Sequence, residues 1–398
     1  MTVNPKLLLR NISYWSLFLV FLALIGCRDQ SEVQPPESQY LIEATPIVEL
    51  SQEEVAQRAG EISPLLKAVV KNGVRVLRVT YKTQFVDGSP IEASGAVALP
   101  MGDQPFPMLS IQHGTITREA DAPSNFAPGT EFMEYGAVFG GMGYIAVFPD
   151  YIGYGASKHL PHPYEHRESL GRACLDMLRA VRELVEQDAR VKWDKRLYIS
   201  GFSEGGYATL SLQKMLEEGR EFNLKASTCG AGAYNKTAFM HRLVSEPTHG
   251  IASYNRLYTW VLLSYNWIYG LNYPLSYFFQ EPFAAEISKD LMGAPLTGSF
   301  HNLLQTDFAT GLLNGQEGEL LAAIADNDLL GWKPEVPTQL YHGTADDLVF
   351  YLNTETTYQS MVDLGATSVE LKRLEGKNHS TAVMDYLLGS YAFFSAHP

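Results

Sequence analysis

The chain has 398 residues, 46% of them hydrophobic and 12% aromatic, enough to bury a large core as one big domain with an insertion or as two domains. Its formal net charge is −14, and no cluster of Lys and Arg stands out, which argues against nucleic acid as a partner because phosphate contacts need such clusters. An acidic surface of this kind keeps a protein soluble and suits a neutral substrate.

Lys6 and Arg10 precede an apolar stretch over residues 15–25 that ends in Leu24-Ile25-Gly26-Cys27. A charged region followed by a short apolar one is the pattern of a secretory signal. A small residue and then Cys where the apolar stretch stops resembles the bacterial lipobox, whose Cys is lipidated and becomes the mature N-terminus. The expectation is a signal peptide over residues 1–26, a lipidated N-terminus and flexible spacer over 27–50, and a domain over 51–398. Such a protein is exported to the cell envelope, tethered to a membrane through Cys27, facing the periplasm or the surface. With Cys27 lipidated, Cys174 and Cys229 remain, which permits one disulfide in an oxidising compartment. Both fall in stretches that read as buried core, where a free Cys packs as a small apolar residue.

Residues 51–70 read as a helical lead-in with Ser51-Gln52-Glu53-Glu54 as an N-terminal capping pattern. Alternating apolar runs over 73–83 and 91–99, joined through the turn at Asp87-Gly88, predict an antiparallel hairpin at a sheet edge. Short apolar runs then recur at 106–111, 144–148, 196–199, 224–228, 338–341 and 369–374, most of them separated by segments of helical length such as 168–185. That alternation predicts an α/β fold, a mostly parallel sheet with helices on both faces. One interval, about 235–334, has no clear strand and is rich in rings, so it is expected to form an inserted helical subdomain. Most of its rings serve the subdomain core, and their density predicts that some line a substrate cavity.

The chemistry centres on Gly201-Phe202-Ser203-Glu204-Gly205, which reads G-x-S-x-G between the apolar run 196–199 and a helical pattern over 207–216. A strand that reverses into a helix within a few residues forces the central Ser into a strained conformation and holds its hydroxyl out at the end of the sheet. A Ser hydroxyl needs a base, and the base needs an acid to orient it. In the order Ser, acid, His, Asp346 lies in G-x-x-D-x-x-V after the run 338–341, and His379 follows the run 369–374. Asp347 competes with its neighbour for the acid; His342 precedes the acid and His397 lies in the C-terminal tail. Acyl transfer also needs donors for the oxyanion. One is expected from the backbone amide of Glu204, and the other from Thr115, or from Gly114, in the loop Gln112-His113-Gly114-Thr115. Two other clusters read as structure. The prolines in His159-Leu160-Pro161-His162-Pro163-Tyr164-Glu165-His166 preclude the regular helix that would align metal ligands, and Gly140-Gly141-Met142-Gly143 precedes its strand, as a helix end does.

With these residues in place the chain resembles an α/β-hydrolase. Gln112-His113-Gly114-Thr115, Pro149-Asp150-Tyr151-Ile152-Gly153-Tyr154-Gly155 and Gly201-Phe202-Ser203-Glu204-Gly205-Gly206 resemble the secretory lipase-like group of fungi and bacteria, over roughly residues 73–398. The resemblance implies an eight-stranded sheet with its second strand antiparallel, a helical lid inserted after the sixth strand, and carboxylic ester hydrolysis without a cofactor. The substrate is then a small-molecule or lipid ester, and Trp260, Trp267 and Tyr151 are the candidates to line its site. Two alternatives stand beside this reading. A serine peptidase of the prolyl oligopeptidase kind uses the same triad but normally carries a large N-terminal domain, for which little chain is left before residue 73. A lipoprotein that binds a ligand on a hydrolase scaffold without turnover would not need the full triad.

Overall fold

The computed structural model describes residues 38–398; the expected signal, Cys27 and the first part of the expected spacer lie outside the described residues. Strand β1 (Leu41–Leu50) runs into Ser51, whose hydroxyl accepts the Glu54 amide while the Glu54 carboxylate accepts the Ser51 amide at 2.7 Å. This capping box starts helix α1 (Gln52–Ile62), and Pro64 at a first-turn position opens α2 (Pro64–Val69). There follow β2 (Val74–Gln84), β3 (Pro90–Pro100), β4 (Pro105–Gln112), α3 (Ala137–Gly141), β5 (Ile145–Pro149), α4 (Arg167–Gln187), β6 (Lys192–Phe202), α5 (Glu204–Gly219) and β7 (Asn223–Gly230). The next segment is helical: α6 (Lys236–Ser245), α7 (Ala252–Ile268), α8 (Leu275–Phe278), α9 (Phe283–Lys289), α10 (Thr306–Leu313) and α11 (Gly318–Asp326). Then come β8 (Thr338–Gly343), α12 (Leu352–Asp363), β9 (Val369–Leu374) and α13 (Val383–Ala396).

The strands form one sheet in the order β1-β2-β3-β5-β4-β6-β7-β8-β9. From β5 to β9 every pair is parallel, while β1, β2, β3 and β5 pair antiparallel. Leaving β1 aside, eight strands remain, and β3, the second, runs against all the others. Among the described residues the sheet therefore has nine strands rather than eight, and the extra one lies in residues expected to be spacer. The reason its pattern is hidden in the sequence is local. Pairing with β2 shifts register between Leu41 and Glu43 and again between Pro46 and Val48, so the more sheltered residues fall at 41, 44, 47, 48 and 50. Two irregularities in ten residues erase the period of two by which strands are recognised. The β2–β3 hairpin is consequently not at the edge, because β1 covers β2.

Successive residues of each strand serve opposite layers. Ile145 and Val147 of β5 pack with Leu178 and Val181 of α4, in a core that also takes Tyr207 and Leu210 of α5. Ala146 and Phe148 face the other side, where Val55 and Ala59 of α1 pack with Phe132 and Val138. Further along that side, Leu109, Tyr198 and Ala226 meet Phe393 and Phe394 of α13. Cys174 and Cys229 are both free and buried in the first of these cores, so each packs as a small apolar group and the permitted disulfide is not formed. The insertion has a core of its own, built from rings such as Phe239, Tyr258, Tyr265, Phe278, Phe300 and Phe308. No helix among the described residues is long and apolar enough to cross a membrane.

Candidate active site

The central parallel strands end side by side, and the turns that leave them bring the chemistry together. β6 runs into α5 through Ser203, held at φ 61° and ψ −125°, a left-handed conformation that side chains other than Gly rarely adopt. Close approach makes this turn possible. A Cβ on Gly205 would lie 1.9 Å from the Gln112 carbonyl oxygen, and one on Gly201 would lie 2.2 Å from the Gly205 carbonyl oxygen. Only glycine fits at either position.

The loop after β9 presents His379 with Nε2 2.9 Å from Ser203 Oγ and Nδ1 2.7 Å from Asp346 Oδ2. Asp346, in the loop after β8, is anchored from several sides. Its Oδ1 accepts the amides of Leu348 at 3.0 Å and Val349 at 2.9 Å, and its Oδ2 lies 3.2 Å from His342 Nε2. The tautomer of His342 follows from its partners. Nε2 lies 2.6 Å from the Val349 carbonyl, which can only accept, so Nε2 carries the hydrogen and Nδ1 faces the Thr354 hydroxyl. Burial pushes the Asp346 carboxyl up, but hydrogen bonds from His342 and His379 and their charge outweigh burial and bring it down to about 2. The sequence candidates Ser203, Asp346 and His379 thus meet. Asp346 rather than Asp347 touches the imidazole, and His342, considered as a rival base, buttresses the acid.

Glu204 is the first residue of α5, where a backbone N–H lies outside the helix ladder and the helix dipole favours negative charge. Of the two loop candidates, the Gly114 amide donates to Glu131 Oε1 at 3.1 Å and is committed there. Thr115 is held by its hydroxyl, 2.9 Å from the Tyr164 hydroxyl. The Glu204 side chain is buried, with Oε1 2.9 Å from His162 Nε2, while His162 Nδ1 lies 2.6 Å from the Ile152 carbonyl. Both ring nitrogens of His162 face oxygens, and the carbonyl can only accept. His162 thereby ties the Glu204 side chain to the Ile152 carbonyl. Within the His159-to-His166 stretch, His162 fixes the residue after Ser203, and His166 accepts the Ser169 amide as the cap of α4. Nothing in the spacing signals the His162 contact, since it reaches a residue 42 positions away, whereas the His166 cap is a local contact made by a residue type not usually read as a cap.

Beside Ser203 lies a partly open pocket, about 530 Å³ when the space continuous with solvent is included, whose walls come from the insertion, from Tyr164 and Glu165, and from Leu348 and Val349 beside the acid. Phe239, Met240, Leu243, Leu257, Val261 and Ile324 make it largely apolar. The three rings expected to line it sit elsewhere. Tyr151 is fully buried under the Thr115 loop, stacked on His113 and donating to its carbonyl at 2.9 Å. Trp260 stacks on Tyr164 with ring centroids 4.3 Å apart, and Trp267 stacks on Phe85. Counting rings located the insertion that forms the wall, but ring density carries no information on which way each ring points.

Residues 140–386 match the model of the secretory lipase family. The chain belongs to the secretory lipase family. This secretory lipase is accordingly a carboxylic ester hydrolase. Among solved structures it is similar to a protein from Legionella pneumophila, with a TM-score of 0.80 and 24% identity over 90% of this chain and 98% of that one. The rice cell wall degrading esterase LipA from Xanthomonas oryzae matches with a TM-score of 0.76 and 24% identity over 89% and 95% of the two chains. Candida antarctica lipase A matches with a TM-score of 0.63 and 14% identity over 88% and 79%. At these identities the likeness is one of fold. No curated protein sequence matches this secretory lipase significantly.

Proposed function

We propose that this secretory lipase cleaves esters through an acyl-enzyme on Ser203. His379 Nε2 takes the proton of Ser203 Oγ as the oxygen attacks the ester carbonyl, and the resulting imidazolium is stabilised by the ionised Asp346. The backbone amides of Glu204 and Thr115 hold the oxyanion. His379 then delivers its proton to the departing alcohol, and water, deprotonated by the same imidazole, releases the acid and restores Ser203. The observation that carries the reading is the unbroken chain from Ser203 Oγ through both ring nitrogens of His379 to Asp346, at 2.9 and 2.7 Å. A fluorophosphonate should label the wild type at Ser203 and leave Ser203→Ala unlabelled, with kcat for an acetyl ester lowered by about 10⁴ to 10⁶ in the variant. Turnover by Ser203→Ala close to the wild-type rate would rule the mechanism out. The apolar character of the cavity favours an ester over a peptide, and the helical insertion serves as the lid that selects the group bound there. The tether is read from sequence: Gly26-Cys27 at the end of an apolar stretch supports an exported lipoprotein held to a membrane of the cell envelope.

A further inference from the structure

We infer that the cavity beside Ser203 is built for an ester whose bound half carries a neutral hydroxyl on an otherwise apolar body, with Glu165 and Lys236 as the groups that hold the hydroxyl. The inference rests on the acyl-enzyme reading and names the substrate class of the same site.

Two charged side chains line a wall that is otherwise apolar. Lys236 Nζ bonds Glu165 Oε2, and the two side chains are only 3% and 7% exposed. Both ends are fixed. Lys236 opens α6 with its ammonium 4.0 Å from the centre of the Tyr207 ring, and Glu165, at φ 52°, has its carbonyl held by the Tyr265 hydroxyl at 2.9 Å. Counting donors and acceptors shows what is left over. An ammonium has three N–H groups; one meets Glu165 and one side lies over the Tyr207 ring, which leaves a donor for the cavity. Glu165 Oε1 has no hydrogen-bond partner among the described residues, and both residues border the cavity that reaches Ser203.

A straight hydrocarbon in this cavity would cover that donor and acceptor without satisfying either, which is unfavourable. A hydroxyl can donate to Glu165 Oε1 and accept from Lys236 Nζ at once. The pair has no net charge, so a carboxylate drawn to Lys236 is opposed by Glu165 and an amine drawn to Glu165 is opposed by Lys236, whereas a neutral hydroxyl meets neither repulsion. A loop tie between residue 165 and α6 would need a single bond between two groups, and two apolar residues would pack there without the cost of burying charges.

The test compares kcat/KM across two sets of substrates on the whole exported protein. One set is ethyl esters of straight-chain acids, with a hydroxyl or a methyl at the chain end; the other is acetates of straight-chain alcohols with the same exchange. At one chain length in one set the hydroxylated ester should exceed its methyl isostere by about 10 to 100-fold, and the set concerned identifies the half that enters the cavity. Glu165→Gln combined with Lys236→Met should bring the two isosteres within about threefold of one another. Preference for the methyl isostere at every length in both sets overturns the inference, as does a folded double variant that keeps the preference. Should the double variant not fold, the wild-type comparison decides alone. Both outcomes leave the Ser203 mechanism intact, because the plain esters are still turned over; loss of fluorophosphonate labelling at Ser203 would sink the mechanism instead.

Discussion

Asp346 has to remain a carboxylate while nearly surrounded by protein, and its neighbours explain how. Two amides take one oxygen, and His379 and His342 meet the other. With its carboxyl held down to about 2, the acid stays ionised throughout the range in which the imidazole works. Asp346→Asn keeps the shape but presents His379 with an amide that cannot stabilise the imidazolium, so kcat should fall by about 10³ to 10⁴. Asp347→Asn should stay within about threefold of wild type, and steady-state kinetics on an acetyl ester would separate the two. Residues of this kind were legible in the sequence because each is fixed by short-range pattern: Ser203 by the glycines around it, Asp346 and His379 by the strands before them. His342, His162 and the Glu165–Lys236 pair were not. Their roles are made by contacts between segments as much as 71 residues apart, and a His between prolines or a Lys at a helix start carries no mark of its partner.

At the level of elements, α4 shows a cost built into a cap. His166 accepts the Ser169 amide through Nδ1, which it can do only while that nitrogen is unprotonated. Burial lowers its pKa to about 4; Asp326 and Glu168 oppose this and Arg167 assists it. Between about pH 6.5 and that value the unfolded chain binds a proton that the folded one refuses, so stability is full above the upper limit and falls as pH drops. The loss should approach about 3 kcal/mol once pH reaches the folded value. His166→Asn keeps a good cap without the titration, so its melting temperature should change less than that of wild type between about pH 7 and about pH 4. A fall of equal size in both proteins would remove His166 as the cause. The insertion invites a different experiment. Leu257 of α7 lines the cavity, so Leu257→Trp should shorten it and, in whichever half of the ester enters it, lower kcat/KM for long chains by roughly 10 to 200-fold relative to short ones. An unchanged chain-length profile would place the specificity elsewhere. The existence of the insertion was readable from its missing strands, whereas the direction of its rings was set by packing that no periodicity reports.

At the scale of the whole molecule, the parallel run from β5 to β9 was readable because each buried strand is a short apolar run between helices, and β1 was not, because its register shifts hide it. If Cys27 carries the lipid, Cys27→Ser should move the protein from the membrane fraction to the soluble one and abolish incorporation of labelled fatty acid. Unchanged partition without label would point to an uncleaved apolar segment. Tethering confines copies of a protein to two dimensions, where they meet sideways far more often than in free solution. Among the described residues the strands at the rims of the sheet are β1 and β9. β1 carries Pro46, which has no amide to offer, and two irregularities, while β9 carries Glu370, Lys372 and Arg373 in six residues. Neither rim is a flat template for another chain's strand. If Cys27 does hold the enzyme to a membrane, the same irregularities that make β1 hard to recognise would disfavour edge-to-edge pairing of crowded neighbours, and the surface could carry a dense field of separate catalysts.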